Sequence, residues 1–335
     1  CGIDEVKVLL ADVFKDDAAD VTVEALSDGD RIAPKEVVLR IRARYRRFGL
    51  YETAILGILA QSTGWATAGR EVVDALLTHP KVKAVSFVGS TPIARHVFEL
   101  GTKHGKRIQS NGGAKNYVFL MPDADVENSS RGLIEAAFGC AGERCMAGST
   151  AVVIGGASKT VLPALLDATR AIKVGPTDRE AQPNMWPVIS KQHKERVEQL
   201  VEAGVKEGAN VAVDGRGVTV ANEPNGFFVG ATVLDNVQPG TTVAKEEIFG
   251  PVLNVMRFDD LESAIEMANK SPYGLASSVW SKNLSQAHPI AAGLKVGTVW
   301  INTWLKRDLR MPFGGQKASG LGSEGGDHSF DFFTR

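Results

Sequence analysis

FGCAGERCMA, the sequence of residues 138–147, places Cys145 after small residues and an arginine, at the end of a helix-like apolar segment. Thiolate rather than thiol attacks carbonyl carbon, and a nearby cation or helix terminus lowers the pKa of a thiol toward neutrality. Cys145 is therefore a candidate nucleophile with a lowered pKa. An ordinary buried structural cysteine fits the same ten residues, so the neighbouring segments decide between the two interpretations.

Four further segments surround this one. FVGST at 87–91 lies between a strand-like run at 82–86 and a helix-like run at 92–100, so its backbone N–H groups can face an anion. The others are NGGAK at 111–115, EEIFGPV at 246–252 and PFGG at 312–315. In this order and spacing the segments resemble the aldehyde dehydrogenase superfamily, from about residue 73 to residue 334.

Composition narrows the possible partners. The 335-residue chain is 44% hydrophobic with a formal net charge of −1, as expected for a globular protein with one large or two domains. No excess of basic residues indicates a nucleic-acid surface, and no apolar run approaches the roughly 18 residues of a membrane span. The expected partners are a small-molecule substrate and further copies of the chain, as a homo-oligomer.

The three cysteines, at positions 1, 140 and 145, form neither a disulfide framework nor a zinc-binding pattern, so no metal site is expected. This cysteine usage predicts a reducing, cytoplasmic location. No signal peptide is visible, and the first residue is cysteine rather than methionine, which suggests that the sequence begins inside a longer product.

Helical and strand-like apolar runs alternate along the chain, which is typical of an α/β domain. Residues 191–207 and 259–270 have helical spacing, and Asp259 with Glu262 forms a candidate capping box for the second helix. Strands are predicted at 151–154, 252–255 and 297–301. The pattern predicts a parallel or mixed sheet covered by helices.

The resemblance makes that fold specific: an aldehyde-dehydrogenase-like catalytic domain with an incomplete Rossmann-type dinucleotide-binding part. It implies a remnant of the dinucleotide-binding domain at 73–115, the catalytic domain at 116–302, and a substrate or oligomerisation segment at 303–335. Residues 1–72 lie outside the family pattern, and residues 48–61 resemble nicotinate phosphoribosyltransferase-type enzymes. The alternative for this segment is a hairpin followed by a helix that covers exposed core.

The resemblance implies that Cys145 attacks an aldehyde to give a thiohemiacetal, which passes hydride to nicotinamide and leaves a thioester. The developing oxyanion needs hydrogen-bond donors, and the backbone N–H of Cys145 is one candidate. The family's second donor, an asparagine from the N-terminal half, has no matching motif in this sequence. Cys140, five residues earlier, would point about 140° away on a helix and is expected to be a core residue.

Asn111 bears on the second half-reaction. It lies 34 residues before Cys145, where hydrolytic members of the family carry a glutamate base, and an amide cannot accept a proton at neutral pH. Residues 109–116 resemble the acylating methylmalonate-semialdehyde dehydrogenases, whose thioester passes to coenzyme A. Glu324 matches a second family glutamate that acts as a distant base; a solvated loop residue is the alternative.

The C-terminal third resembles 2-aminomuconic and 2-hydroxymuconic semialdehyde dehydrogenases, in which an arginine binds the substrate carboxylate. Arg307 is the best match, since a guanidinium makes paired hydrogen bonds to a carboxylate. Arg310 is expected to assist and Phe313 to form an apolar wall. Pairing of Arg307 with Asp308 or with solvent is the structural alternative.

The cofactor expected from the resemblance is NAD. Glu247 and Phe249 match the family residues at the nicotinamide ribose and ring, and Gly89 and Ser90 match those at the pyrophosphate. The segment that supplies a lysine to the adenine ribose is lacking, so weaker NAD binding is expected. Two alternatives remain: an inactive structural or oligomeric module without a full cofactor site, and a phosphoribosyltransferase-type activity of the N-terminal part.

Overall fold

The computed structural model describes residues 2–15, 21–28, 30, 32–33, 36–177 and 183–334, with residues 61–66 described by backbone alone. Contacts divide the chain into two compact units, Cys1–Val82 and Lys83–Arg335. The domain boundaries expected from the sequence, at residues 72, 115 and 302, remain predictions. None of the described helices is both long and apolar enough to cross a membrane.

The smaller unit is a helix, a hairpin and a long helix. Its elements are α1 (Ile3–Val13), β1 (Thr22–Ala25), β2 (Leu39–Arg42), α2 (Tyr45–Phe48) and α3 (Glu52–Thr78), and the two strands pair antiparallel. A small core of Val6, Leu10, Phe14 and Ile55 joins the two longer helices. The hairpin and the long helix match the expected pattern, while α1 was not predicted.

The elements of the larger unit alternate between strands and helices. They are β3 (Ala84–Val88), α4 (Thr91–Lys103), β4 (Arg107–Asn111), β5 (Tyr117–Leu120), α5 (Val126–Phe138), β6 (Thr150–Ile154), α6 (Ala157–Arg170), α7 (Lys191–Lys206), β7 (Asn210–Val213), β8 (Thr232–Asp235), α8 (Thr242–Lys245), β9 (Val252–Phe258), α9 (Leu261–Lys270), β10 (Tyr273–Gly274), β11 (Ala276–Trp280), α10 (Leu284–Gly293), β12 (Thr298–Ile301), β13 (Gln316–Lys317), β14 (Gly320–Leu321) and α11 (Gly326–Thr334).

The main sheet has the strand order β12-β11-β5-β6-β9-β8-β7. Every neighbouring pair is parallel except β7 with β8. Strands β5 and β6 are buried along their whole length, which explains their continuous apolar sequence. Because side chains alternate across a strand, Val118 and Leu120 enter one core cluster and Tyr117 and Phe119 the other. This confirms the expected α/β fold.

A second sheet joins three strands in the order β14-β4-β3. Strands β3 and β4 are parallel, and β14 pairs antiparallel with β4. Among the described residues this small sheet carries the FVGST segment at the end of β3 and Asn111 at the end of β4. The sequence-based prediction places a remnant of a dinucleotide-binding domain at 73–115, which includes β3 and β4 of this sheet.

Local patterning located most elements but missed one helix cap by a residue. The predicted strands at 151–154, 252–255 and 297–301 correspond to β6, β9 and β12. Helix α9 is capped by Asp260, whose carboxylate accepts from the backbone N–H groups of Glu262 and Ser263. The predicted Asp259–Glu262 capping box is therefore wrong, because the helix begins at Leu261.

Candidate active site

Cys145 lies in a turn between α5 and β6. Three consecutive residues after α5 have left-handed backbone: Cys140 and Ala141 at φ 53° and Gly142 at φ 70°. Only glycine fits at position 142, since a Cβ there would come 2.1 Å from the carbonyl oxygen of Gly250. Such strain is typical of functional loops. Cys140 is thus not on a helix, and the helical argument for its direction was wrong.

The pKa of Cys145 differs from the expectation. Burial is the main cause that raises the pKa of this thiol, and Glu247 and Glu324 raise it further. Arg144 does not counter them, because its guanidinium donates to the carbonyl oxygens of Glu135 and Ala136 at the end of α5. The backbone N–H groups of Met146 and Cys145 act in the opposite direction. The prediction that the pKa of Cys145 is lowered is therefore wrong for the protein without a bound ligand.

A small cavity borders Cys145. It measures about 20 Å³, enough for one water-sized group, and both Glu247 and Phe249 line it. The remaining lining residues are Ala114, Asn116, Ala137, Gly142, Arg144, Ala147, Ser149, Ile248, Gly250 and Val252. The structure thus brings together the predicted nucleophile and two of the four predicted cofactor residues.

Glu247 is held by one backbone donor and one arginine side chain from other segments. Its Oε1 accepts from the backbone N–H of Ala114 at 3.0 Å, and burial raises the pKa of this carboxyl. Arg196 donates to the backbone carbonyls of Glu247 and Ile248 at 3.0 and 2.8 Å. Phe249 has a left-handed backbone, with φ at 57°, and its carbonyl lies 2.5 Å from Nε2 of His193.

Gly89, Ser90 and Asn111 lie together at the small sheet. Gly89 donates its backbone N–H to the carbonyl of Asn111 at 3.1 Å, and Ser90 is the N-cap residue of α4. The Oδ1 atom of Asn111 is buried without a hydrogen-bond partner, and a Cβ on Gly320 would come within 2.4 Å of it. Asn111 is not among the residues that line the Cys145 cavity.

A second cluster joins three of the predicted residues. The guanidinium carbon of Arg307 lies 3.9 Å from the ring centroid of Phe313, and Nη2 lies 3.9 Å from Oε1 of Glu324. Backbone bonds of 2.7 and 2.8 Å pair Phe313 with Glu324. Arg310 is separate: its side chain is 89% exposed and paired with Asp308. The alternative considered for Arg307, pairing with Asp308, is thus found at Arg310.

Four residues of the site escaped the sequence reasoning. Lys115 and Asn116 bond to the loops of Glu247 and Cys145, and His193 and Arg196 bond to the backbone of 247–249. Lys115 and Asn116 stood inside a recognised motif, but their partners are far along the chain. His193 and Arg196 lie on α7, whose helical pattern carried no functional signal.

Two family models match the chain. The aldehyde dehydrogenase family matches residues 63–335, and the N-terminal domain of quinolinate phosphoribosyl transferase matches residues 1–63. The resemblance of the N-terminal segment to a phosphoribosyltransferase is confirmed, although the matched model is described as quinolinate rather than nicotinate.

Relatives and solved structures agree with the larger match. The chain is 42% identical over 268 residues to the acylating methylmalonate-semialdehyde/malonate-semialdehyde dehydrogenase of Bos taurus, covering 79% of this chain and 50% of that protein. It is 41% identical over 270 residues to malonate-semialdehyde dehydrogenase of Pseudomonas aeruginosa, covering 79% and 54%.

Among solved structures, methylmalonate-semialdehyde dehydrogenase from Oceanimonas doudoroffii superposes with a TM-score of 0.76 at 41% identity, over 79% of this chain and 55% of that one. Betaine aldehyde dehydrogenase from Staphylococcus aureus in complex with NAD+ gives 0.74 at 34% identity, over 78% and 52%. The chain spans about half the length of the curated relatives it matches.

Proposed function

This chain belongs to the aldehyde dehydrogenase family, and from that premise we propose that it takes part in the NAD-dependent oxidation of a small carboxylated semialdehyde. In this proposal Cys145 is the nucleophile, Arg307 binds the substrate carboxylate, and coenzyme A accepts the acyl group. The observation that carries the proposal is the common cavity of Cys145, Glu247 and Phe249.

The chemistry at Cys145 follows from its surroundings. Its thiol must lose a proton before attack, and burial together with two carboxylates opposes that loss. Glu247 lines the same cavity as Cys145, and in this proposal its carboxylate, whose own pKa is raised by burial, takes the proton. The backbone N–H groups of Cys145 and Met146 then favour the anion, first on sulfur and next on the oxyanion of the adduct.

The residues present fit the nicotinamide end of NAD, which supplies a hydride acceptor when bound. Glu247 is fixed by Ala114 and by the loop that Arg196 holds, so its carboxylate is preorganised for a ribose hydroxyl. A side chain at Gly113 would come within 2.5 Å of Glu247, so glycine leaves room there. Gly89 and Ser90, at the start of α4, suit a pyrophosphate.

Arg307 suits a substrate carboxylate because its existing partners leave its donors available. The 3.9 Å separation from Glu324 is an ion pair without a short hydrogen bond, and the ring of Phe313 supports the face of the guanidinium. The side chain is 26% exposed, so an entering carboxylate meets a partly desolvated cation. Glu324 also acts on Cys145, which links this cluster to the nucleophile.

Coenzyme A is the proposed acyl acceptor because Asn111 cannot serve as a base. In support, the Bos taurus relative is named as acylating. A thiolate attacks a thioester with little activation, whereas water requires a general base. The role of Glu324 as a distant base in residual hydrolysis belongs to the same proposal.

Stopped-flow measurement of NADH with malonate semialdehyde tests the proposal. We expect a burst of up to one NADH per site followed by a slow steady state that coenzyme A accelerates. Asn111→Glu should raise turnover without coenzyme A by up to about 10²-fold. Ordinary turnover with neither burst nor response to coenzyme A would contradict the acylating assignment.

A second candidate is an aldehyde-dehydrogenase-like module without activity. Two observations favour it: the pKa of Cys145 is raised, and the small sheet, which carries the predicted pyrophosphate residues, has three strands among the described residues. Titration of tryptophan fluorescence with NAD separates the candidates. Saturable quenching supports the enzyme, whereas no quenching at millimolar NAD favours the module.

We also infer a homo-oligomeric protein of a reducing, cytoplasmic compartment. The free thiols of Cys140 and Cys145 support the compartment. Sedimentation at micromolar concentration tests the assembly, and a monomer would contradict it.

A further inference from the structure

Both polar atoms of the Asn116 side chain make hydrogen bonds. Their partners lie in the loop of Cys145 and in the main sheet. Its Nδ2 donates to the carbonyl oxygens of Cys145 and Ala147, both at 2.8 Å. Its Oδ1 accepts from the backbone N–H of Ala276 at 3.1 Å. The residue is 1% exposed, so water cannot replace these bonds.

The preceding residue, Lys115, holds the segment that leads to Glu247. Nζ of Lys115 donates to the carbonyl oxygens of Val243 and Glu246 at 2.7 and 2.9 Å. The backbone N–H of Ala114 adds a bond to the carboxylate of Glu247. Lys115 is also 1% exposed. A buried lysine that donates to the carbonyl oxygens of α8 and of its C-cap residue has no role in solubility, and a plain apolar residue would pack there at lower cost.

We propose that Lys115 and Asn116 are positioning residues: two consecutive side chains that fix the Glu247 loop and the Cys145 loop to the start of one strand, β5. Lys115 and Asn116 are the two residues immediately before β5, and their side chains bond to two separate segments of the chain. The spacing of Cys145 from Glu247 across the cavity is then set by a single rigid segment.

Two observations support this assignment. The loop that Asn116 holds has three left-handed residues, Cys140–Gly142, and strained backbone persists only where surrounding bonds impose it. The sulfur of Cys145 depends on the aim of the backbone N–H groups of Cys145 and Met146, which oppose the carboxylates of Glu247 and Glu324. Loss of that aim should change the reactivity of the thiol, although the hydrogen bonds of Asn116 go to the carbonyl oxygens of Cys145 and Ala147.

Hydrogen exchange of the full chain, followed by mass spectrometry, tests the assignment independently of the catalytic proposal. Asn116→Ala should speed exchange in residues 141–149 by at least about tenfold and leave residues 243–250 within about twofold. Lys115→Met, of similar length, should do the reverse. Asn116→Asp keeps an acceptor for Ala276 and loses the donors, so it should reproduce the change at 141–149 without exposing Ala276.

The pH dependence of iodoacetamide labelling should change if Asn116 positions the loop of Cys145, and it should not change if Asn116 has a purely structural role. In Asn116→Ala the labelling of Cys145 should require higher pH than in the wild type, while labelling of Cys140 should not change. If Asn116→Ala does not fold, Asn116→Leu is labelled instead, because it fills a similar volume and adds no charge near the thiol. Equal responses of the two loops in each variant, or an unchanged profile for Cys145, would overturn the assignment.

Discussion

Lys115 and Asn116, which support the Cys145 side, are buried and hydrogen-bonded, whereas Arg307 and Glu324 are partly exposed and loosely paired. Asn116, at 1% exposure, makes three hydrogen bonds. The ion pair of Arg307 with Glu324 is 3.9 Å long, and the side chains are 26% and 44% exposed. Rigid geometry suits bond formation, while a loosely paired cation suits a substrate that must enter and leave. Changes on the Cys145 side should therefore affect chemistry, and changes on the Arg307 side should affect binding.

Removal of the nucleophile should have the largest effect. Cys145→Ser should lower kcat by about 10⁴-fold or more, because a hydroxyl in this place has no base matched to its high pKa. Cys140→Ser is the control and should keep kcat within about twofold. Steady-state NADH formation measures kcat for both variants. A similar fall in kcat for Cys140→Ser would mean that the substitutions disturb the loop, and that the effect of Cys145→Ser does not report on the thiol.

Arg307→Ala should weaken the binding of an acidic substrate. KM for an acidic semialdehyde should rise roughly 10- to 100-fold through loss of a charge-assisted pair, with little change for a neutral aldehyde of the same length. Arg310→Ala provides a matched control, since Arg310 is 89% exposed and bound to Asp308, and it should change KM less than about threefold. Equal effects on both substrates would assign Arg307 to folding.

Lys115 predicts a pH dependence of stability on the Cys145 side. Burial lowers the pKa of this lysine from 10.5 to about 7. Between these values the unfolded chain binds more protons than the folded one, so the free energy of unfolding rises with pH across the window. The rise from pH 7 to pH 9 should be about 2 kcal/mol.

Lys115→Met should lack this rise, because it removes the group that titrates in this window; it also removes one cause that lowers the pKa of Glu247. Urea unfolding of both at pH 7 and pH 9 measures the difference. The same gain in both proteins would mean that Lys115 keeps its ordinary pKa when folded.

Removal of the Glu324 carboxylate should have the smallest effect. This residue belongs to both the Cys145 side and the Arg307 side. It pairs with Arg307 and is the last of the causes that raise the pKa of Cys145. Glu324→Gln should therefore lower that pKa and speed iodoacetamide labelling of Cys145 at pH 7, by less than about threefold. Slower labelling would show that Glu324 assists deprotonation of the thiol instead of opposing it.

The sequence predicted what depends on local pattern and missed what depends on distant contacts. Helix α9 and strand β6 were expected because the spacing of apolar residues within each segment indicates its secondary structure and burial. The burial of Lys115 was not, since its partners Val243 and Glu246 lie more than a hundred residues away. The direction of Arg144 toward Glu135, which removes the expected cation from the thiol, likewise exists only in the folded chain.

Formation of a thioester between Cys145 and the substrate is the step on which the proposed reaction depends. Acid quenching within the burst with malonate semialdehyde and NAD, followed by peptide mass spectrometry, measures it directly. We expect the acyl mass on the peptide that contains Cys145, its removal by added coenzyme A, and faster loss in water for Asn111→Glu. An unmodified Cys145 during NADH formation, or an adduct on Cys140 instead, would contradict it.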